Sequence, residues 1–362
     1  MERYWIWLST IKYVGPILQK NLLERFECPS KIFEAGETEL AAVTSMNKRA
    51  LKSIIDSKSL AHSEKILKEC ERKSIQILCF HDERYPAHAK NCRESPVVLY
   101  YRGTLKPISE TVAVVGSRRC TSYGKRIAQD IGRQLAEYGI PLISGFAKGV
   151  DSYAQSSCVE NGGYTVAFLA NGVDLCYPKE QLAFYEKLIS SGSVLISSYP
   201  PGTKARPESF LQRNALISAW SNEVVIVEAT AKSGALWTAQ YAQNQGRSLF
   251  AVPNLLRVPE GEGTNRLIAE GKAKVFLGIE ESLISIRRLT KPKERLAGIT
   301  QDPPQILSKT QHQILAFLGE IPKSILEISR YLQLSEEQII EELLTLEFKR
   351  KIILRGNMAT KV

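Results

Sequence analysis

A series of short apolar runs in the middle of the chain constrains the fold more than any other feature. Between Ser74 and Thr290 these runs are rich in β-branched residues with almost no polar alternation, and amphipathic helical stretches separate them. Such runs are typical of strands buried on both faces, and the helices imply right-handed βαβ crossovers, so the pattern predicts an open, doubly wound α/β sheet. The predicted strands are Ile75–Leu78, Val97–Tyr101, Val112–Val115, Pro141–Ile143, Thr165–Leu169, Val194–Ile196, Val224–Val227 and Leu249–Val252.

The two ends of the chain show helical periodicity instead. Apolar residues recur at helical spacing up to Lys73, which predicts a small helical domain of SAM or helix–hairpin–helix type at 1–73. The sheet then defines an extended Rossmann-like domain at 74–290. A stretch with prolines and charges predicts a linker at 291–304. Beyond it, three helical stretches and a short basic ending predict a winged-helix-like domain at 305–362.

The third helical stretch of the C-terminal domain is acidic. A capping serine and acidic first-turn residues start this helix favourably. The same charges make it a poor candidate for insertion into a DNA groove, so contact with a protein is at least as good an interpretation as DNA binding. The acidic residues are Glu336, Glu337, Glu341 and Glu342.

Charge and cysteine content limit the classes of function. The chain of 362 residues has a formal net charge of +10, which favours a polyanionic partner such as nucleic acid. Its seven cysteines form no C-x-x-C pair, so a local metal or redox site is not expected and a reduced, cytoplasmic compartment fits best. The apolar run Tyr4–Leu8 is too short for a signal peptide or a membrane span. We therefore expect no metal, no cofactor and no membrane contact.

Ligands of an open α/β sheet bind beyond the carboxyl ends of its strands, so the loops after the predicted strands are the first candidates for a site. After Val112–Val115 the strand stops at a glycine and a helix begins near Thr121 or Ser122. The glycine lets a ligand approach, the helix offers free N–H groups, and two arginines add planar cations. The loop lacks the G-x-G-x-x-G pattern, which argues against NAD or FAD. It predicts a phosphate site at Gly116, Ser117, Arg118 and Arg119.

Three further strand-end loops carry cations. In the loop after Pro141–Ile143 a lysine precedes Asp151, which we expect to cap the next helix rather than to act in catalysis. The loop after Val194–Ile196 combines cations with an aromatic ring, as single-stranded DNA requires, because phosphates bind the charges and an unstacked base binds the ring. An ordinary core position for that ring is an equal alternative. The predicted residues of these loops are Lys148, Lys204, Arg206, Phe210, Arg213, Asn214 and Lys232.

Short motifs follow one another in a fixed order between Phe80 and Lys274. They are VAVVGSR with a following T and YG, ISGFAKGVD, YP at Tyr177–Pro178, F-x-x-R-N at Phe210–Asn214, VVIVEA followed by SG, L and TA, and GTNRLIAEGKA. In this order they resemble the DprA/Smf DNA-processing proteins of natural transformation. The resemblance implies a protein that binds and protects incoming single-stranded DNA, dimerises and helps to load a RecA-type recombinase.

The resemblance also carries roles to individual residues. The DNA-contacting arginine of its G-S-R motif corresponds to Arg118, and the base-stacking and backbone-binding F-x-x-R-N element corresponds to Phe210, Arg213 and Asn214. Several positions depart from the family pattern, and we expect the DNA pocket to persist with altered details. The departures are Gln155 in place of a histidine, Ala215 in place of an arginine, Asn254 in place of a glycine, and Ala235 and Trp237 within S-G-[ST]-L-[IT]-T.

Two other functions are alternatives to DNA binding. A nucleotide-binding enzyme similar to the LOG-type phosphoribohydrolases needs a P-G-G-x-G-T turn and a glutamate on the next helix, but here the turn is Lys232–Ala235 and no carboxylate follows before Arg247. The histidines lie outside the strand-end loops, so no catalytic triad is indicated and we expect no enzyme activity. A winged-helix transcription regulator would instead prefer duplex DNA through Ser308–Val362.

Overall fold

The structure is a computed structural model that describes residues 1–283, 307–318, 322–348, 351–355 and 357–361. The predicted linker at 291–304 lies outside the described residues. The chain divides into two compact units, Met1–Thr290 and Lys291–Val362. The domain limits derived from the sequence stay predictions.

Six helices form the N-terminal part of the first unit. Gly15 and Pro16 start the second helix, since proline suits the first helical position, and the side chain of Asn47 caps the fifth by accepting a hydrogen bond from the Ala50 N–H at 2.9 Å. Their apolar sides pack in one core together with sheet residues such as Tyr100. The helices are α1 Glu2–Thr10, α2 Pro16–Phe26, α3 Pro29–Glu34, α4 Glu37–Ala41, α5 Lys48–Asp56 and α6 Ala61–Arg72.

A large, mostly parallel sheet of nine strands follows, as the apolar runs predict. The spatial order is β1-β2-β6-β5-β4-β3-β7-β8-β9, and every pair from β6 to β9 is parallel. The strands are β1 Gln76–Cys79, β2 Val98–Gly103, β3 Val112–Val115, β4 Leu142–Ser144, β5 Thr165–Phe168, β6 Val194–Ser197, β7 Glu223–Ile226, β8 Ser248–Ala251 and β9 Lys274–Val275.

One edge of the sheet differs from the predicted pattern of crossovers. Strand β1 pairs antiparallel with β2, and β2 pairs antiparallel with β6. The connection from β1 to β2 contains only a four-residue helix, Ala87–Lys90, which is too short to cross the sheet as a βαβ helix does. The uniform crossovers expected from the sequence are therefore wrong for these two strands.

Helices cover both faces of the sheet. Val112 and Val114 of β3 pack in one core with helix residues such as Ile131, whereas Ala113 and Val115 pack in the other with Trp220, as the period of two along a strand requires. The helices are α7 Ala87–Lys90, α8 Ser122–Glu137, α9 Val150–Glu160, α10 Leu182–Ser190, α11 Pro207–Ala219, α12 Ala235–Asn244, α13 Glu262–Ala269 and α14 Ile279–Ser282, with short 3-10 helices at Lys179–Gln181 and Pro259–Gly261.

The second unit has its own apolar core, made by residues such as Ile314, Ile328, Ile339 and Leu343. In the described residues of this unit, three helices alternate with a small antiparallel sheet of order β10-β12-β11. Its elements are α15 Lys309–Phe317, β10 Lys323–Ser324, α16 Ile325–Leu332, α17 Glu336–Phe348, β11 Ile352–Arg355 and β12 Met358–Lys361. Within the described parts of both units, no helix has the length and apolarity that a membrane crossing demands.

Candidate nucleic-acid interface

Two neighbouring cavities lie beyond the carboxyl ends of the parallel strands. The Tyr177 cavity, of about 630 Å³, is lined by Lys148, Asn171 and Tyr177 among others. The Ser233 cavity, of about 520 Å³, is lined by residues that follow β3 and β7, including Ser233 and Thr238. The order of the sheet reverses direction at β3 and β7, which is where open α/β sheets bind ligands. The residues shared by the two cavities are Arg118, Arg119, Ala147, Phe210 and Arg213.

The loop after β3 presents its two arginines to both cavities. Arg118 and Arg119 are exposed, while Ser117 is buried and its N–H donates to the Glu228 carbonyl at 2.8 Å. Packing also explains the glycine that ends the strand, because a Cβ at Gly116 would lie 2.7 Å from a methyl carbon of Val150. The predicted role of this glycine, backbone approach by a ligand, gains no support from this contact, although Gly116 does line the Ser233 cavity.

A buried side chain occupies the start of α8. The carboxyl group of Glu228 accepts hydrogen bonds from the Thr121 N–H at 2.8 Å and from the Thr121 hydroxyl at 2.6 Å, and the side-chain amide of Asn254 donates to it at 3.2 Å. Glu228 is completely buried. The Thr121 N–H therefore has an internal partner, and so has the Gly124 N–H, which donates to the Thr121 hydroxyl at 3.2 Å. The predicted use of this helix start for a ligand phosphate stays a prediction.

Phe210 lies between the two cavities. Its ring is half-buried, with the guanidinium carbon of Arg118 at 5.0 Å and that of Arg213 at 5.8 Å from the ring centroid. The ring of Tyr177 is 5.9 Å away, tilted by 56°. The two arginines place charges that can bind phosphates beside the ring, and a planar base can stack on the ring itself. Phe210 belongs to none of the apolar cores of the first unit, so the alternative of an ordinary core residue does not hold.

Arg213 lies beneath Phe210 and joins the strand ends. It is 5% exposed and donates hydrogen bonds to the carbonyls of Gly145 and, at 3.1 Å, Phe168. Burial lowers the pKa of Arg213 to about 10, the attraction of Asp151 opposes this shift, and the repulsion of Arg118 adds to it. Its main contacts are internal, which makes it a residue that positions the loops as well as a lining residue.

Asp151 has a different role from the predicted one. Gly149 is the cap of α9, and Asp151 lies inside the first turn with its carboxyl group turned to the Gly145 N–H at 3.1 Å. The prediction that Asp151 caps the helix is therefore wrong. Burial raises the pKa of Asp151, and the nearby Arg213 and backbone N–H groups oppose that shift.

The other predicted residues divide into two groups. Lys148 lines the Tyr177 cavity with its ammonium group 3.5 Å from the Glu180 carboxyl group, and Asn214 lines the Ser233 cavity. The remaining cations of the prediction are exposed and line neither cavity; they are Lys204, Arg206 and Lys232. The structure thus brings together eight of the predicted residues, namely Gly116, Ser117, Arg118, Arg119, Lys148, Phe210, Arg213 and Asn214.

Comparison with known proteins shows the family to which the chain belongs. Residues 76–287 match the model of the DNA recombination-mediator protein A family. The chain belongs to this family. It is 31% identical to Protein Smf of Synechocystis over 96% of this chain and 95% of that protein. It is 30% identical to the DNA processing protein DprA of Bacillus subtilis over 59% of this chain and 72% of that protein.

Solved structures of relatives share the fold. The DNA processing protein A of Streptococcus pneumoniae superimposes with a TM-score of 0.66 at 26% identity, covering 76% of this chain and 95% of that one. The corresponding protein of Helicobacter pylori, whose structure is described in terms of its single-stranded DNA binding mode, gives a TM-score of 0.53 at 30% identity. It covers 59% of this chain and 95% of that one.

Residue-by-residue reasoning missed several members of the site. Tyr177 and Lys179 line the Tyr177 cavity, and Glu228 holds the arginine loop. The family motifs contain the signal for two of them, since Tyr177 begins the Y-P motif and Glu228 belongs to VVIVEA. Lys179 has no such signal, because a lysine after Y-P gives no sign in one sequence that its side chain lines a cavity.

Three of the departures from the family pattern lie inside the molecule, away from the two cavities. Gln155 is fully buried; its side-chain N–H donates to the Thr165 hydroxyl at 3.0 Å, and its side-chain oxygen has no hydrogen-bond partner among the described residues. Ala215 is buried, and its carbonyl accepts from Gln245 at 3.3 Å. Asn254 contributes to the Glu228 cluster described above. None of the three residues lines the Tyr177 or the Ser233 cavity.

Proposed function

We propose that the two cavities form a binding site for single-stranded DNA. The observation that carries the proposal is the half-exposed ring of Phe210 between the cavities, with Arg118 at 5.0 Å from its centroid. An unstacked base needs an aromatic face and its phosphates need cations, and this arrangement offers both. The single-stranded DNA binding mode described for the Helicobacter pylori relative supports the same assignment.

The wider role follows from family membership. We propose that the chain processes DNA in natural transformation, protects the incoming strand and delivers it to a RecA-type recombinase as a homodimer. The support is the description of the family as recombination mediators and the description of the relatives as DNA processing proteins. This role needs binding rather than catalysis. In keeping with it, the buried carboxyl groups of Asp151 and Glu228 are engaged by backbone N–H groups.

For the second unit we propose a winged helix that contacts protein. The support for the fold is the succession of three helices and a hairpin, β11 and β12, paired antiparallel. The support for a protein partner lies in α17, where Glu336, Glu337 and Glu341 are exposed and would repel DNA phosphates.

Fluorescence anisotropy tests the DNA-binding proposal on the full chain. A labelled single strand and its duplex are titrated across a salt series. We expect a preference for the single strand and a steep loss of affinity with salt, because phosphate contacts release counterions. Phe210→Ala should cost about 1 to 3 kcal/mol of binding free energy if a base stacks on the ring. Arg118→Ala should weaken binding and reduce the salt dependence.

Arg126→Ala is the matched control, because Arg126 is an exposed arginine on α8 that lines neither cavity. It should bind as the unaltered chain does. Unchanged affinity in both Phe210→Ala and Arg118→Ala would remove the cavities from the DNA site. Binding of the duplex alone would favour the transcription-regulator alternative.

A further inference from the structure

We propose that Trp237 is a second stacking platform, on which the DNA strand continues after it leaves Phe210. This inference rests on the proposed function and extends it to a residue outside the two cavities. Its starting observation is exposure: 53% of Trp237 is accessible, whereas Trp5, Trp7 and Trp220 are at most 4% accessible. A tryptophan that contributes this little to a core is available to a ligand.

The position of Trp237 is tied to the site by two hydrogen bonds. Ser233, Gly234 and Thr238 on either side of it line the Ser233 cavity. The Gly234 carbonyl accepts from the Trp237 backbone N–H at 3.2 Å and also from the Asn214 side chain at 3.1 Å. Asn214 belongs to α11, the helix that carries Phe210. One carbonyl oxygen thus connects the turn of Trp237 to the helix of the first stacking ring.

The charges around this turn fit a strand that continues along it. Arg118 and Arg119 line the Ser233 cavity, and Lys232 is exposed five residues before Trp237 in the sequence. Leu211, which is 37% exposed, adds apolar surface to the lining of the cavity. Alternation of cations with an aromatic ring is the arrangement that binds successive nucleotides. The proposal gives Lys232, which lies outside both cavities, a phosphate to bind.

Packing of the helix does not explain the tryptophan. Thr238 is buried and Leu236 packs against the core, so the inward positions of the turn are filled by its neighbours. The ring of Trp237, which is 53% exposed, is therefore not needed to fill the core beneath this turn.

Intrinsic tryptophan fluorescence of the full chain tests the proposal directly, since Trp237 is the one tryptophan exposed enough to meet DNA. Oligo-dT of about 16 nucleotides should quench the emission, whereas the quenching should disappear in Trp237→Phe, which retains a stacking ring and should retain affinity. Trp237→Ala should bind this oligonucleotide about 5- to 150-fold more weakly by anisotropy. An oligonucleotide of about 4 nucleotides, held at Phe210, should be unaffected.

Tyr13→Ala serves as control, because Tyr13 is an aromatic residue of the loop between α1 and α2 with 45% exposure. It should leave both the quenching and the affinity unchanged. DNA binding without quenching, and with full affinity in Trp237→Ala, would overturn the inference while the proposed function stands. A change of sedimentation coefficient in Trp237→Ala with unchanged DNA affinity would overturn it in favour of a protein contact. Failure of the unaltered chain to bind DNA would overturn both.

Discussion

At the scale of single residues, burial decides what the charged groups under the cavities can do. Arg213 and Asp151 each have 5% exposure, and both bind the backbone of Gly145, one at its carbonyl and the other at its N–H. A buried charge is stable only with partners. Arg213 and Asp151 provide each other with a group of opposite charge, in addition to their hydrogen bonds to Gly145. Arg118 is exposed, and it is the arginine to which the proposed function assigns the DNA contact.

Asp151 gives a prediction for the pH dependence of stability. Its pKa is raised by burial, so the folded state keeps the proton to a higher pH than the unfolded state does. The unfolded carboxyl ionises near about pH 4, and the free energy of unfolding therefore falls as the pH rises from there through the raised folded pKa. This component should be absent in Asp151→Asn, which keeps an oxygen for the Gly145 N–H.

Urea unfolding of the unaltered chain and of Asp151→Asn between about pH 4 and pH 7 checks this expectation. The stability of the unaltered chain relative to the variant should decline with rising pH. Asp56→Asn is the control, because Asp56 is exposed, and its curve should run parallel to that of the unaltered chain. A parallel curve for Asp151→Asn as well would contradict the assigned burial effect.

The predicted residues that line the cavities share a local signal, whereas the internal contacts that hold the site depend on residues distant in the sequence. Arg118 stands in the loop after one apolar run and Phe210 in the helix α11 after another, where the topology of the sheet places both at a ligand edge. Whether Asp151 caps α9 or lies within its first turn depends on the residue at which the helix begins. Its hydrogen bond from the Gly145 N–H depends on how this helix packs against the loop that contains Gly145. The internal partner of Thr121 comes from Glu228, far along the chain, and no local pattern reports such a contact.

At the scale of elements, the start of α8 depends on that distant residue. Glu228→Ala would leave the Thr121 N–H and the Asn254 side-chain amide without their buried acceptor. We expect a loss of about 1 to 3 kcal/mol in the free energy of unfolding, because an unpaired buried donor keeps its desolvation cost. We also expect weaker binding of single-stranded DNA, because the arginine loop loses its side-chain anchor at Thr121 while keeping the backbone hydrogen bond at Ser117. Urea unfolding and anisotropy measure the two effects.

Glu228→Gln separates the hydrogen bonds from side-chain volume. Its amide oxygen can still accept from the Thr121 N–H, so its loss of stability should be smaller than that of Glu228→Ala. Glu34→Ala, at an exposed glutamate of α3, should change neither stability nor DNA affinity. Full stability in Glu228→Ala would show that α8 starts equally well without this partner.

The same scale explains how far the strands could be predicted. The run Val112–Val115 coincides with β3, and the other runs differ from their strands by one or two residues at an end. Buried parallel strands are uniformly apolar, so composition identifies them. Apolar runs do not report the direction of a strand, because β1 and β2 also follow from such runs but pair antiparallel. The two-residue strand β9 is too short for any periodicity.

At the scale of the whole molecule, the residues that share an apolar core show which parts of the chain stabilise one another. Trp5 and Leu8 of α1 share a core with Val98 and Tyr100 of β2, so the N-terminal helices are stabilised through the sheet. In contrast, the apolar core that contains Ile314 and Ile328 has members only from the second unit. Periodicity predicts both helical regions equally well, but the sequence pattern does not report whether a helix packs on its own neighbours or on a sheet.

Separate cores lead to a prediction about truncation after Thr290. Every residue that lines the Tyr177 and Ser233 cavities belongs to Met1–Thr290, and so does every member of the cores around the large sheet. A chain of residues 1–290 should therefore fold cooperatively and bind a single-stranded oligonucleotide with unchanged affinity and salt dependence. Circular dichroism melting and anisotropy against the full chain measure both properties. If the truncated chain folds but loses its DNA affinity, the nucleic-acid contact depends on Lys291–Val362, and the regulator alternative replaces the strand-end site.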